Sequence, residues 1–179
     1  AWAILNGAIA IYVGFLGNIL RFLAINLPLQ IVGLIIWYKS SKNKKTVETR
    51  KSKPILFWPI IAGALVIAGL FTYFETQTWF QKPLSMEPLP WYEALADAIS
   101  FSFSIATAIF IIGRYNEYWI ATSIASLSGF ILWLVHSIIN PGEVSNWQML
   151  ISAIINLIFC TKGIIEWYGL KKPKEFKNV

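Results

Sequence analysis

Apolar residues in this chain fall into six blocks, 2–20, 22–38, 54–74, 93–113, 118–138 and 147–168, separated by short polar or basic breaks. A helix needs about 20 apolar residues to cross the roughly 30 Å hydrocarbon core of a bilayer, and most of these blocks have that length. No water satisfies the backbone inside a bilayer, so such a block spans only by closing its N–H and C=O groups on one another as a helix. The sequence therefore predicts an all-α polytopic membrane protein. Composition agrees, with 56% hydrophobic and 13% charged residues, where soluble domains carry about 25% charged residues. Residues 1–20 lack the basic start and small-residue cleavage site of a signal peptide. Cys160 is the single cysteine, so no intrachain disulfide forms.

The breaks set domain organisation and orientation. Residues 1–38 hold two spans, with Arg21 as a tight connection between them. Residues 39–53 form a basic linker with Lys39, Lys42, Lys44, Lys45, Arg50, Lys51 and Lys53. Block 54–74 has almost no polar side chains and serves as a connector. Residues 75–92, with Glu75, Lys82, Pro83, Pro88 and Pro90, read as an outer loop. Three further spans occupy 93–170, and a basic tail, 171–179, carries Lys171, Lys172, Lys174 and Lys177. Linker, tail and Arg114 fall on one side of the membrane, and only Arg21 and Lys82 on the other. This asymmetry places linker and C-terminus in the cytoplasm. The net charge of +6 is thus explained by topology and lipid attraction, with no nucleic acid required.

An internal repeat sharpens the layout. Residues 26–38 and 156–168 align without a gap and share Asn26/Asn156, Leu27/Leu157, Gly33/Gly163, Ile35/Ile165, Trp37/Trp167 and Tyr38/Tyr168. On a helix the amide, glycine and tryptophan of each copy share one face. If the halves are duplicates, the three spans of 93–170 predict a span before Ala1, with Trp2 matching Trp119 and Asn6 matching Ser123. That gives two parallel three-helix repeats joined by a connector helix, 3+1+3, with six spans visible here. Parallel repeats related by an axis along the membrane normal are a transporter architecture. Six unrelated spans with a chance echo are the competing layout.

Asp97-Ala-Ile-Ser, Arg114-Tyr-Asn-Glu117-Tyr-Trp119, the ending Gly163-x-x-x-Trp167, and Gln30-x-x-Gly33-x-x-x-Trp37 resemble the PnuC-type vitamin transporters. The resemblance covers 97–168 well and 1–38 moderately. It implies a bacterial inner-membrane protein of SWEET-like architecture that takes up nicotinamide riboside by facilitated diffusion, with cytosolic phosphorylation trapping the substrate. Thiamine and riboflavin facilitators are the alternatives within the family. The sequence departs from the pattern at Cys160, where many members have Asn, and at Lys162 and Glu166, which points to an asymmetric site.

Nicotinamide riboside has a flat cationic ring, an amide and several hydroxyls. Aromatic faces attract a flat cation, and neutral amides and hydroxyls suit the rest. The substrate-binding candidates are Gln30, Asn26, Asn156, Asn6, Ser123, Trp119, Trp133, Trp37 and Trp167. Trp37 and Trp167 sit at span ends, where tryptophan either anchors at the lipid interface or serves as gate or substrate contact; Trp119 shares that ambiguity, and Trp133 is either packing or site. The mid-span amides either meet substrate or bind helices together. Gly33 and Gly163 favour close helix packing. Asp97, Arg114, Glu117 and Cys160 are gating or structural polar candidates, since an acid within a span is functional by default. His136 reads as a polar rim residue, and Lys162 and Glu166, at i and i+4, as a pair.

One aspartate and one histidine exclude a two-aspartate protease and a His-rich metal site. No HExxH, P-loop or GxGxxG occurs, so the sequence implies neither enzyme nor metal nor cofactor. Its partners are a small-molecule vitamin and the lipid bilayer; oligomeric state stays open, a homo-oligomer included. From another class, a non-transporting scaffold or sensor subunit would turn its amides toward other helices and enclose no central cavity.

Overall fold

The computed structural model describes residues 2–29, 31, 32, 35, 38, 53–81, 87–113 and 115–167. Among them the chain is helical: α1 (Trp2–Val13), α2 (Leu16–Ile19) running directly into a π-helical stretch (Leu20–Asn26), α3 (Pro54–Glu75), the short α4 (Thr78–Gln81), α5 (Trp91–Ile112), α6 (Tyr118–Ile139) and α7 (Val144–Trp167). Four of these are long and apolar enough to cross a bilayer: Pro54–Glu75, Trp91–Ile112, Tyr118–Ile139 and Asn146–Glu166. The chain is an all-α, multi-pass membrane protein.

The first block does not run unbroken to residue 20. Helix α1 has 12 residues, about 18 Å of rise at 1.5 Å per residue, and stops at Gly14. Gly14 has φ 87°, a left-handed conformation that costs other residues about 1–2 kcal/mol. Gly14 N–H and Phe15 N–H both donate to Ala10 C=O, at 2.9 and 3.2 Å. The connection expected at Arg21 is therefore corrected to Gly14–Phe15, and Arg21 lies inside the following helix, 7% exposed. Its charge is tolerated at that depth because buried polar groups meet it there.

The π-helical stretch precedes Pro28. Proline has no N–H for the Ala24 carbonyl, and its ring crowds that carbonyl, so the backbone widens there. Such widening often accompanies functional positions, and here it carries Arg21 and Phe22 into the protein interior.

Helix α5 is the hub. It buries Glu93, Ala94, Asp97, Ser100, Ser104 and Phe110 among others, with α3 on one side and α6 on another. Small side chains at Ala64 and Ala68 let α3 approach α5 closely. The opposite face of α3, with Ile55, Trp58, Leu65, Val66 and Leu70, is exposed, as a lipid-facing surface must be. Between α5 and α6, Ser128 donates to Ala96 C=O at 2.8 Å and Thr122 to Thr107 at 3.2 Å. One apolar core gathers Phe15, Phe22, Ala96, Leu132, Trp133, Met149 and Leu150, and so joins the N-terminal helices to α5, α6 and α7. A second, of Ala64, Phe103, Ala106, Phe110, Ala121 and Ala125, joins α3, α5 and α6.

Candidate functional site

Where the N-terminal helices meet the connector and α5, the polar side chains are buried together. Gly17 N–H donates to Asp97 Oδ2 at 2.8 Å and to Glu75 Oε1 at 3.2 Å. Asn18 Nδ2 donates to Asp97 Oδ1, and Arg21 Nη1 donates to Ser100 Oγ. Glu75 and Asp97 thus bring two carboxyl groups onto one backbone amide. Asn18, Glu75, Asp97 and Ser100 are fully buried. Helical spacing makes the cluster: Asn18 and Arg21 are one turn apart on their helix, as are Asp97 and Ser100 on α5. Glu75, the last residue of α3, arrives from a third element.

The charges balance. Two carboxyl groups crowded onto one buried amide do not both ionise, so one of them keeps its proton. One carboxylate then faces the one guanidinium of Arg21, and the unit is neutral. Buried charges persist only when paired in this way. Gly17 is required for the approach: a Cβ there would lie 2.8 Å from Asp97 Oδ2 and 3.1 Å from the Asp97 carbonyl.

Arg21 has a second neighbour set. With Phe22, Ser126, Gly129, Trp133, Met149, Ser152, Ala153 and Asn156 it lines a narrow cleft between the N-terminal helices, α6 and α7. The free interior of about 10 Å³ is the room of about one water, so the cleft is closed to anything of vitamin size. The Arg21 guanidinium packs over Gly129, where a Cβ would come within 2.9 Å of Nη1, and its Cζ lies 5.4 Å from the Phe22 ring centroid. A wider groove of about 590 Å³, lined by Ile154, Ile158, Ile165 and Glu166, opens on the exposed apolar side of α7, which faces lipid.

The residues singled out from sequence divide accordingly. Asn156 and Trp133 share the cleft; Trp133 is 2% exposed and packs edge-on against Phe15, with ring centroids 5.2 Å apart. Asp97 stands behind the cleft, linked to it through Arg21. Cys160 is buried, with Sγ 3.6 Å from Ser126 Oγ. Asn6 is buried in α1 and Asn26 is half-buried at the end of the π-helical stretch; neither is among the cleft's lining residues. Ser123 donates to the Trp119 carbonyl of its own helix at 2.7 Å. Trp119 packs where a Cβ at Gly163 would otherwise sit, and stacks at a tilt on Tyr118. Glu117 is half-buried at the start of α6. His136 Nδ1 lies 3.5 Å from Glu93 Oε2, and Lys162 pairs with Glu166 at 3.8 Å. Gln30, Gly33, Trp37 and Arg114 lie outside the described residues, as does the Trp167 side chain.

Sequence reasoning missed Arg21, Asn18 and Glu75 in this cluster, and gave Ser100 and Ser126 no role. A signal was present in part: Asn18 and Arg21 repeat a polar residue at helical spacing within an apolar block. Glu75 gave none, because an acid at the edge of an apolar block looks like the first residue of a loop.

A multi-pass helical bundle with buried charged groups behind a narrow cleft is the arrangement expected of a membrane protein that passes a small molecule between its helices. A family model described as nicotinamide mononucleotide transporter matches residues 1–169, and the chain belongs to that family, whose members are transporters and not enzymes. It is 27% identical over 160 residues to a nicotinamide riboside transporter PnuC from Neisseria mucosa, an alignment covering 87% of this chain and 56% of that one. The chain thus spans just over half the length of that curated relative. A crystal structure of a vitamin B3 transporter PnuC superposes with a TM-score of 0.63 at 18% identity, covering 94% of this chain and 67% of the other; this likeness establishes a shared fold.

Proposed function

We propose that the protein takes up nicotinamide riboside by facilitated diffusion across a bacterial inner membrane, with the 39–53 linker and C-terminus in the cytoplasm and phosphorylation there trapping the substrate. Family membership over residues 1–169 carries this reading. The cleft supports it: Asn156, Ser126 and Ser152 offer neutral hydrogen-bonding groups, and Trp133 offers a ring, in a crevice walled by both the N-terminal helices and α6–α7. Gln30, Asn26 and Asn6 from the first half, and Trp37, Trp119 and Trp167 at the ends, complete the substrate path on the 3+1+3, SWEET-like reading of the halves. A closed cleft fits alternating access, in which one half rocks against the other around a fixed site.

Calorimetric titration of the purified protein with nicotinamide riboside, nicotinamide mononucleotide, thiamine and riboflavin tests it. Saturable binding of the riboside, weakened at least tenfold by Asn156→Ala in a protein that still folds, is the expected result. Binding of thiamine or riboflavin alone would move the assignment within the family. Binding of none would end the vitamin reading.

A further inference from the structure

Arg21 is the cationic residue among those lining the cleft, which sits oddly with a cationic substrate. Its Nη1 is committed to Ser100 Oγ, and Gly129 and Phe22 hold the guanidinium plane. Asp97 supplies its opposite charge from behind. Cys160 from α7 is the other titratable group acting on it. The Arg21 Nε–H, by contrast, is buried and has no acceptor among the described residues. Guanidinium offers five donors in a rigid fork and no acceptor, and that fork matches carboxylate geometry in a way an ammonium does not. An open Nε–H on a residue that lines a cleft calls for an oxygen from the cleft's occupant.

We propose that Arg21 is a specificity-determining residue, reading an acceptor oxygen, carbonyl or carboxylate, on the flat ring of the substrate that enters between Trp133 and Asn156. This rests on the vitamin reading above and goes beyond it in one respect. A carboxamide gives Arg21 a neutral acceptor, while a carboxylate at the same ring position gives it an ionic one and removes the ligand's net positive charge. Both effects act in the same direction, so the cleft accepts the carboxylate form of the pyridinium riboside at least as readily as the carboxamide form.

The test is calorimetric titration of the wild-type protein, Arg21→Gln and Arg21→Lys with nicotinamide riboside and with the same nucleoside bearing a carboxylate in place of the carboxamide. The readout is the ratio of the two affinities, which a general loosening of the fold does not move. The wild type binds the carboxylate form as tightly as the amide or more so; Arg21→Gln lowers the carboxylate-to-amide ratio at least tenfold, and Arg21→Lys, which keeps the charge and loses the fork, falls between the two. If Arg21→Gln does not fold, the pair Arg21→Gln with Asp97→Asn removes both charges together, and the same fall in the ratio is expected. An unchanged ratio in a folded Arg21→Gln or in that pair overturns the proposal, as does a wild type that prefers the amide tenfold or more. A wild type that binds neither nucleoside fails the vitamin reading itself, and the role of Arg21 falls with it.

Discussion

Glu75 and Asp97, which are 22 positions apart in the sequence and come from different helices, accept the same backbone proton: Gly17 N–H reaches Glu75 Oε1 at 3.2 Å and Asp97 Oδ2 at 2.8 Å. The arrangement ties three elements together at one amide, and it depends on a carboxyl proton.

That proton is open to measurement. Infrared spectra of the wild-type protein at neutral pH are expected to show a buried carboxylic-acid C=O band that shifts in deuterated water. Glu75→Gln keeps the shape and a donor, so it removes the band while costing less than about 1.5 kcal/mol, the range of a volume-conserving exchange. Asp97→Ala is a different perturbation, because Gly17 N–H and Asn18 Nδ2 lose an acceptor and Arg21 its nearby opposite charge; each buried polar group left without a partner costs about 1–3 kcal/mol. Thermal melting in detergent should therefore rank the wild type and Glu75→Gln together, with Asp97→Ala far below. A silent infrared region, or equal melting of the two variants, would contradict a protonated carboxyl in this cluster.

Two glycine-to-alanine changes should have opposite signs. Gly17→Ala puts a methyl 2.8 Å from Asp97 Oδ2 and 3.1 Å from the Asp97 carbonyl, and the second of these is backbone that cannot swing aside. Overpacking of this kind costs about 1–3 kcal/mol. Gly63, inside α3, has nothing within 4 Å of its would-be Cβ. There alanine meets no clash and gains about 0.5–1 kcal/mol of helix stability. Melting temperature should fall in the first variant and hold or rise in the second.

How much of this was readable beforehand varies from one residue to the next. The blocks that became α3, α5, α6 and α7 were legible because a lipid-exposed helix must be apolar along its whole length, whatever it packs against. The break at Gly14–Phe15 was not, since a single glycine inside an apolar block looks like helix until its backbone is seen to turn left-handed. Arg21 and Glu75 misled for a related reason. A charge at the edge of an apolar block normally marks water, and only tertiary packing brings two such edges into one buried cluster around Asp97. Asn156 and Trp133, which line the cleft, stood out as candidates because a polar amide in mid-span, or a ring near it, has few uses in lipid. Ser123 bonds within its own helix, while Trp119 packs on Gly163 with its indole N–H unpartnered among the described residues. The repeat, for its part, pointed to one side of the cleft and gave no sign of the arginine on the other.

Trp133 combines packing and cleft lining, and its substitutions should separate the two. It is 2% exposed and fixed edge-on by Phe15, with His136 also perpendicular at 6.1 Å. Trp133→Ala should destabilise by about 3–5 kcal/mol, as truncation of a buried aromatic does. Trp133→Phe retains an aromatic and should cost less. Comparing chemical melting with ligand binding in the two variants gives the split: a folded Trp133→Phe that loses vitamin affinity assigns the ring to the substrate, and one that keeps it leaves Trp133 as core.

Cys160 offers a probe of the closed state. It is 4% exposed and its Sγ lies beside Ser126 Oγ, a residue of the cleft wall. A small uncharged maleimide should label it slowly in the folded protein and rapidly after denaturation, since the reagent needs the thiol to become accessible. Opening of the cleft is the event that exposes this wall, so a ligand that holds the cleft shut should slow labelling further, while Gly163→Ala should speed it. A methyl at Gly163 runs into the Trp119 indole and so pushes α7, the helix carrying Cys160, away from α6. Labelling that is fast in the untreated folded protein, or indifferent to Gly163→Ala, would show that the α6–α7 seam does not control access to the cleft.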